Sequence, residues 1–524
     1  MKNNRKLIIY ICAMAVTLVV LVLVLIFGRP AGGGDDPAAS DATTEETAEA
    51  VDAAQGSETE IDAEDSADVP EESSEDELEN MGGVLLATPF SYTPREYEVD
   101  EKGNLVIPER EEGRFEEAPE FPCGYTITGD ELFDSATVLA ESYDYEAAIE
   151  LLKSSEGYEY NDSYRHAVAD YEDRLAALTE WPDNSLITHI FFHSLIVDTS
   201  LTFGEGALKP DAFNEVMTTI DEFVDIISQM YQRGYVLVDI HDVAQVTEVD
   251  GETKMRYMPI MLPEGKIPFV LSQDDVSYYD YMSGQGFATK LVIGEDGLIT
   301  NEYVTKDGET ITGAYDVVPI LDAFVRAHPD FSYHGAKGTI AFTGYEGVLG
   351  YDTNTGDAAL IKEAREVAGA LKAEGWNFAS HSYTHYDMGE LSFSRFEDDC
   401  ENWEREVAPI LGDVDVYIYP KGADIGDWKY YSDSNKKYRL LKSYGFNYFC
   451  NVDSARYWVQ MGPNGEYLRM GRRNIDGTRL WQAVSYYADP DAYDWSEEKR
   501  HSRAMDDIID ARTVFDWSRK MPVE

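Results

Sequence analysis

GWNFASHSYTHYDMG, residues 375–389, holds a short apolar run after a glycine and then two histidines, His381 and His385, separated by three residues. An apolar run of that length between turn signals reads as a buried strand, Asn377 to Ala379, so the histidines stand just past its carboxyl end. Helical patterns flank it, Ala358 to Glu374 before and Ser394 to Leu411 after. The same alternation extends in both directions. Strands are expected at Ile187–Ile196, Tyr235–Asp239, Pro268–Ser272, Lys337–Thr343, Asp415–Tyr419 and Tyr448–Asn451, and helices at Asp211–Arg233, Val317–His328 and Ser434–Tyr444. Strands alternating with helices imply parallel pairing through crossovers, hence an α/β sheet or barrel. In such folds reacting groups gather just beyond the carboxyl ends of the strands.

Two further strand ends carry chemistry. IPFVLSQDDVSYYDYM (267–282) places Asp274 and Asp275 side by side after an apolar strand, and DVYIYPKGADIGDW (415–428) ends another in Tyr419-Pro420-Lys421-Gly422. Adjacent buried carboxylates repel, and one of them needs a proton or a cation to be tolerated. A divalent metal supplies that cation. Two imidazoles so spaced can converge on one ion from a helical turn or from a loop, and one carboxylate completes a three-ligand site with positions left for water. A set of that kind reads as catalytic, because a structural zinc is closed by four protein ligands.

These residues carry a resemblance. From about 185 to 485 the chain resembles the polysaccharide deacetylases of carbohydrate esterase family 4, the NodB-homology domain, whose TFDDG-like, H-S/T-x-x-H and P-x-G motifs are matched here by SQDDV, HSYTH and YPKG. FFHSL (191–195) looks like the first-strand histidine motif of several extracellular members. The resemblance implies a distorted (β/α) barrel and a divalent metal, zinc by default for histidine ligands, held by Asp275, His381 and His385. Asp274 would be the general base, and the reaction would remove N-acetyl, or O-acetyl, groups from a cell-wall or extracellular polysaccharide. A backbone N–H near Tyr419 would hold the oxyanion. Tyr419, Pro420, Gly422 and Tyr383 are the expected substrate contacts, and Tyr278, Tyr279, Tyr345, Tyr351 and Trp428 are further rings suited to pyranose faces.

The chain also departs from the family pattern. Gln273 and Val276 replace an aromatic residue and a glycine of the first motif, and Ile418 stands where many members carry an arginine that steadies the base. The family's late histidine, expected as general acid, has no counterpart, since only His501 follows His385. Either His193 or a water takes that role, or Asp274 handles both proton transfers, or activity is low; His193 is the candidate, and a buried strand histidine making one hydrogen bond is the alternative reading of it. The weakened first motif also favours a second reading, a catalytically weak or inactive glycan-binding, wall-associated protein that keeps the fold. Residues 277–336 are an insertion between motifs, with GEDGLITNEYVTKDGETITGAYD reading as a β-hairpin expected over the cleft.

The rest of the chain places this domain. The 524 residues carry 100 acidic and 42 basic side chains, a net charge of −58. Binding to nucleic acid needs clustered Lys and Arg that are absent here. Lys2, Arg5 and Lys6 precede an uncharged apolar run from Leu7 to Phe27, long enough to span a bilayer and longer than the apolar region of a cleavable signal peptide. Residues 1–29 are therefore expected to be a cytoplasmic tip and membrane anchor, with everything after Arg29 extracellular. Residues 30–83, rich in Asp, Glu, Ala, Ser and Thr, read as a disordered tether. Within 84–180 an irregular stretch precedes a helical module, with Asp144 in the polar break between two apolar sets and a further helix through Tyr164 to Leu178. Its YDYEAAIELL resembles a tetratricopeptide hairpin. Residues 181–524 form the deacetylase-like domain. The four cysteines contain no CxxC pair, and Cys400 with Cys450 is a conceivable bridge.

Overall fold

The computed structural model describes residues 84–520. The anchor and tether expected at 1–29 and 30–83 lie outside the described residues, among which no helix is long and apolar enough to cross a membrane. Seven strands run parallel and pair in chain order. They are β1 (Thr188–Phe192), β2 (Ile267–Gln273), β3 (Thr339–Phe342), β4 (Asn377–Ser380), β5 (Val416–Ile418), β6 (Tyr448–Val452) and β7 (Leu468–Asn474). β7 returns to β1, with Arg472 opposite His189 and Asn474 opposite Phe191, which closes the barrel. The closure is uneven. β2 gives its first half to an extra strand, Tyr235–Leu237, and only Ser272 and Gln273 to β3.

Strand alternation sorts the side chains. Phe269, Leu271, Ile340, Phe342, Phe378, Tyr417 and Phe449 pack outward into the layer of helices. Val270, Ala341, Ala379, Val416, Ile418, Cys450 and Met470 fill a second cluster on the opposite strand faces. That cluster continues into three helices, Glu131–Glu141, Tyr145–Lys153 and Asp162–Ala176, through Ala136, Ala140, Ala148 and Leu152. Asp144, in the polar break of the sequence, is a helix cap whose carboxylate accepts the Ala147 N–H. The module is tied to the barrel domain where the Tyr143 hydroxyl donates to the Asp330 carbonyl at 2.6 Å.

Several expected elements need correction. The helix expected over Asp211–Arg233 is two, Pro210–Val216 and Ile220–Gln232, because Thr219 and Glu222 form a capping box that starts a new helix. Ser394–Leu411 is likewise split into Phe393–Glu406 and Ala408–Leu411. The inserted hairpin is a three-stranded antiparallel sheet, Ala288–Ile293, Ile299–Val304 and Thr310–Gly313. It does not roof the cleft. Leu291, Ile299 and Tyr303 join the outer core, and Asp275 and His385 keep side-chain exposures of 19 % and 32 %. The irregular stretch after residue 84 is strapped along the barrel domain, Leu105 donating to the Tyr487 carbonyl and Glu111 to that of Trp517. Cys400 and Cys450 are both buried and unbridged.

Candidate active site at the carboxyl end of the barrel

The inward alternation does not stop at the strand ends. On β1 it runs from His189 through Phe191 to His193, and on β2 through Ser272 to Asp274. On β4 it reaches His381, and on β7 it reaches Arg472. These side chains meet. His189 Nε2 is 3.0 Å from Ser272 Oγ, and Arg472 donates to the same Oγ at 3.1 Å. The Arg472 guanidinium then grips Asp274 with both terminal nitrogens, at 2.6 and 2.9 Å, and covers the Phe191 ring. This bidentate pair is wholly buried, a geometry that suits the planar guanidinium fork.

Sequence reasoning does not find Arg472. LRMGRRN holds three arginines in seven residues and does not read as a strand, yet it is the strand that closes the barrel. A signal is available: with Ile418 in place of the usual arginine, a buried Asp274 requires a cation from elsewhere.

Asp275 takes a different course. Its backbone lies at φ +59°, turning the side chain away from the path of Asp274. Tyr279 donates its hydroxyl to Asp275 Oδ1 at 2.7 Å. The other oxygen faces His385 Nε2 at 3.6 Å and His193 Nε2 at 3.9 Å. Ser382, His385 and Lys421 also have positive φ values, near 60°. Strained non-glycine residues beyond the ends of β2, β4 and β5 persist only where the surroundings hold them. For the HSYTH loop the holder is Asp399, which accepts the N–H groups of Tyr383 at 2.8 Å and Thr384 at 2.9 Å, while His385 N–H bonds to Ser382 Oγ.

One oxygen of Asp275 and one ring nitrogen each of His381 and His385 lie within 4.8 Å of one another. His381 Nδ1 sits 2.8 Å from the Ile418 carbonyl, which only accepts, so Nδ1 carries the proton and Nε2 keeps its lone pair. Burial pushes the His381 imidazole down to about 4 despite Asp274 and Asp275, so it is neutral at neutral pH. Burial alone would raise both carboxyls. Arg472 and His381 outweigh it for Asp274, and His385, His381 and His193 outweigh it for Asp275, so both stay ionised. An anionic carboxylate beside two imidazoles, one of them with a free lone pair on Nε2, fits a divalent cation.

The other acidic groups with similar spacing already contain their own cation. Arg114 pairs with Glu116, Asp221 and Asp516, and Arg473 and Arg456 pair with Asp507.

The expected substrate contacts fare differently. Tyr419 is fully buried, its hydroxyl 2.9 Å from that of Tyr431 and its N–H bonded to the Cys450 carbonyl. It has no face for a sugar. Pro420 is buried beneath it, and Gly422, at φ +67°, is required by packing, since a β-carbon there would stand 2.6 Å from Val452 Cβ. Tyr383 lays its ring over Gly344 and donates its hydroxyl to Glu406. Tyr419 and Tyr383 thus spend their hydroxyls on Tyr431 and Glu406. Tyr278, Tyr279 and Tyr351 are buried as well, whereas Tyr345 and Trp428 are 56 % and 58 % exposed.

No family model matches the chain, and no curated protein matches it. Among solved structures it is similar to the Streptococcus pyogenes deacetylase PplD, determined in complex with acetate. The identity is 14 %, the match covers 58 % of this chain and 95 % of that one, and the TM-score is 0.31.

Proposed function

We propose that the chain is a metal-dependent hydrolase that removes N-acetyl groups, or O-acetyl groups, from a cell-wall or extracellular polysaccharide. One observation carries the reading: Asp275, His381 and His385 converge as an open donor set directly beside a second carboxylate, Asp274, that is fixed by Arg472. Bound there, a divalent cation, zinc by default, would supply Lewis acidity, acidifying a water and drawing charge from the acyl oxygen.

The chain's own residues supply the rest. Arg472 holds Asp274 ionised and immobile, so this carboxylate orients the attacking water and accepts its proton. The low proton affinity imposed by the guanidinium makes that transfer brief and favours passing the proton onward. His193, 3.9 Å from Asp275 and 19 % exposed, stands at the lip where the leaving nitrogen departs and donates the proton to it. The amides of Tyr419 and Gly422 are committed to the Cys450 and Tyr419 carbonyls, and proline has none. The N–H assigned to the oxyanion is therefore that of Lys421. A contact of that kind contributes on the order of 3 kcal/mol to the transition state. Tyr345, exposed and in ring contact with Tyr279, is the aromatic side chain assigned to the sugar. The apolar run at 7–27, with the acidic segment that follows, suits a protein held at the membrane with its barrel outside the cell.

The test is acetate release by the full-length protein in detergent from N-acetylglucosamine oligomers and from peptidoglycan, with and without a chelator and added zinc. Asp274→Asn and His381→Ala should each lower release about 10²- to 10⁴-fold. Release that survives both substitutions would overturn these roles. Glycan binding without release from any acetylated polymer would leave a non-catalytic wall-associated protein instead.

A further inference from the structure

The insertion at 277–336 carries a buried aspartate, Asp316, that the proposed reaction does not use. It caps the helix Val317–Ala327 by accepting the Val317 N–H at 2.8 Å. Capping occupies only part of its capacity. The same oxygen, Oδ1, accepts the Leu195 N–H at 3.0 Å. The other, Oδ2, accepts the Gln273 side-chain amide at 2.9 Å and the Tyr278 hydroxyl at 2.8 Å. Asp316, Gln273 and Asn301 are entirely inaccessible, and Asp316 has no ion pair among the described residues. Its four partners are all neutral donors.

Those donors are placed next to the chemistry. Gln273 immediately precedes Asp274, and Leu195 is two residues beyond His193. Tyr278 adjoins Tyr279, which holds Asp275. The Gln273 amide makes no other hydrogen bond, since its oxygen is buried without a partner. From the inserted sheet, Asn301 donates to the Tyr278 hydroxyl at 3.1 Å and accepts the Tyr315 N–H at 3.2 Å, extending the brace outward.

We propose that Asp316 is a positioning residue: one carboxylate, supplied by the insertion, sets the register of the Asp274–Asp275 turn and of the His193 segment together. The insertion thereby fixes from outside the strand a turn whose own residue 273 is a polar side chain with no other anchor. The proposal rests on the reading of this cleft as a hydrolytic site. Groups that orient ligands and bases from behind typically change affinity or rate by about 10- to 100-fold when altered.

The hydrogen-bond pattern provides a reversible test. Asp316→Asn replaces the acceptor shared by Gln273 and Tyr278 with a donor, so that Gln273 must turn its unpartnered oxygen inward and the Tyr278 hydroxyl loses its acceptor, and Gln273→Glu sets one carboxylate against another. Together they restore the 273–316 contact with donor and acceptor exchanged and leave only the Tyr278 hydroxyl proton without its acceptor, while the amide oxygen introduced at position 316 still accepts the N–H groups of Leu195 and Val317. For the parent, both single variants, the double variant and Tyr278→Phe, acetate release and zinc affinity by calorimetry are measured on the full-length protein, with melting temperature alongside. The expected result is a kcat reduced about tenfold or more in each single variant at nearly constant KM, zinc binding weakened by a similar factor, and the double variant recovering to within about threefold of the parent. Tyr278→Phe, which buries no like pair, should lower kcat a few-fold, and it decides the matter if Asp316→Asn fails to fold. A lowered melting temperature with kcat and zinc affinity unchanged, or a double variant no better than the worse single one, would reduce Asp316 to a helix cap. If the parent releases no acetate but zinc affinity follows the exchange pattern, the positioning role stands and the hydrolytic reading falls. If the parent is active and indifferent to Asp316, the reverse holds.

Discussion

The two ends of the barrel hold clusters built from the same residue types and wired in opposite ways. At the amino end His241 spends both ring nitrogens, Nδ1 on Asp239 at 2.7 Å and Nε2 on Asp415 at 3.0 Å, and Asn377 donates its side-chain amide to Asp239 as well. Burial would lower this imidazole, but the two carboxylates win and raise it to about 10, so the cluster is a closed ion pair. At the carboxyl end His381 spends only Nδ1. The Nε2 atoms of His381, His385 and His193 stand 3.6 to 3.9 Å from the carboxylate oxygens, too far to hydrogen-bond. The two clusters show that composition does not identify a functional site. One set satisfies itself and locks the base of the barrel, while the other leaves lone pairs facing a shared space.

The largest effect expected at the carboxyl end comes from removing its internal cation. Arg472→Met should destabilise the protein by about 3–5 kcal/mol, because it strands a buried carboxylate, and should lower acetate release at least about 100-fold. Urea unfolding and initial rates measure both. The sign of the pH effect follows from the depressed Asp274 carboxyl. Its contribution is present above the ordinary carboxylate range and is lost as pH falls through its folded value, so the variant should lose the parent's added stability at neutral pH and little of it in acid. If Arg472→Met is as stable as the parent at pH 7, the pair is not what fixes Asp274.

Next in size is the response to a cation, which should separate the two ends. Zinc at about a hundredfold above its Kd should stabilise the parent by about 2.7 kcal/mol, and His385→Ala should lose most of that gain. His241→Gln should leave the gain intact, because its nitrogens are already occupied. A zinc-dependent rise in melting temperature that His385→Ala retains would place the cation elsewhere.

Much of this is legible in sequence, and what is not has physical causes. Six of the seven barrel strands are apolar runs between turn signals. The seventh, LRMGRRN, defies that pattern because its arginines are neutralised by distant acids: Arg469 by Asp424, Arg472 by Asp274 and Arg473 by Asp507. Their partners are about 30 to 200 residues away in the chain, so no local pattern can announce them. Spacing and strand ends suffice to suggest that one carboxylate of the Asp274-Asp275 pair converges with His381 and His385, and the resemblance of SQDDV and HSYTH to known motifs implies that it is Asp275. Tyr419 misleads for a related reason: sequence places it beside the site but does not show that alternation turns its ring outward into the core with Tyr417 and Phe449. Asp316 is invisible because its role lies in four bonds to residues spread from 195 to 317.

The smallest predicted effect concerns the amino-end lock, and its sign is opposite to that at the carboxyl end. His241 has a raised folded pKa, so the stability it contributes is complete below its unfolded value of about 6.5 and is lost as pH rises toward about 10. Between pH 6 and pH 9 the parent should therefore lose on the order of 1–3 kcal/mol more unfolding free energy than His241→Gln, with the side chain's 28 % exposure tempering the full linkage value. Because His241 touches none of the carboxyl-end groups, zinc affinity should be the same in parent and variant at both pH values. Parallel stability curves would mean that His241 is neutral and bound by ordinary hydrogen bonds, which would remove the contrast between a charged lock at one end and an uncommitted donor set at the other.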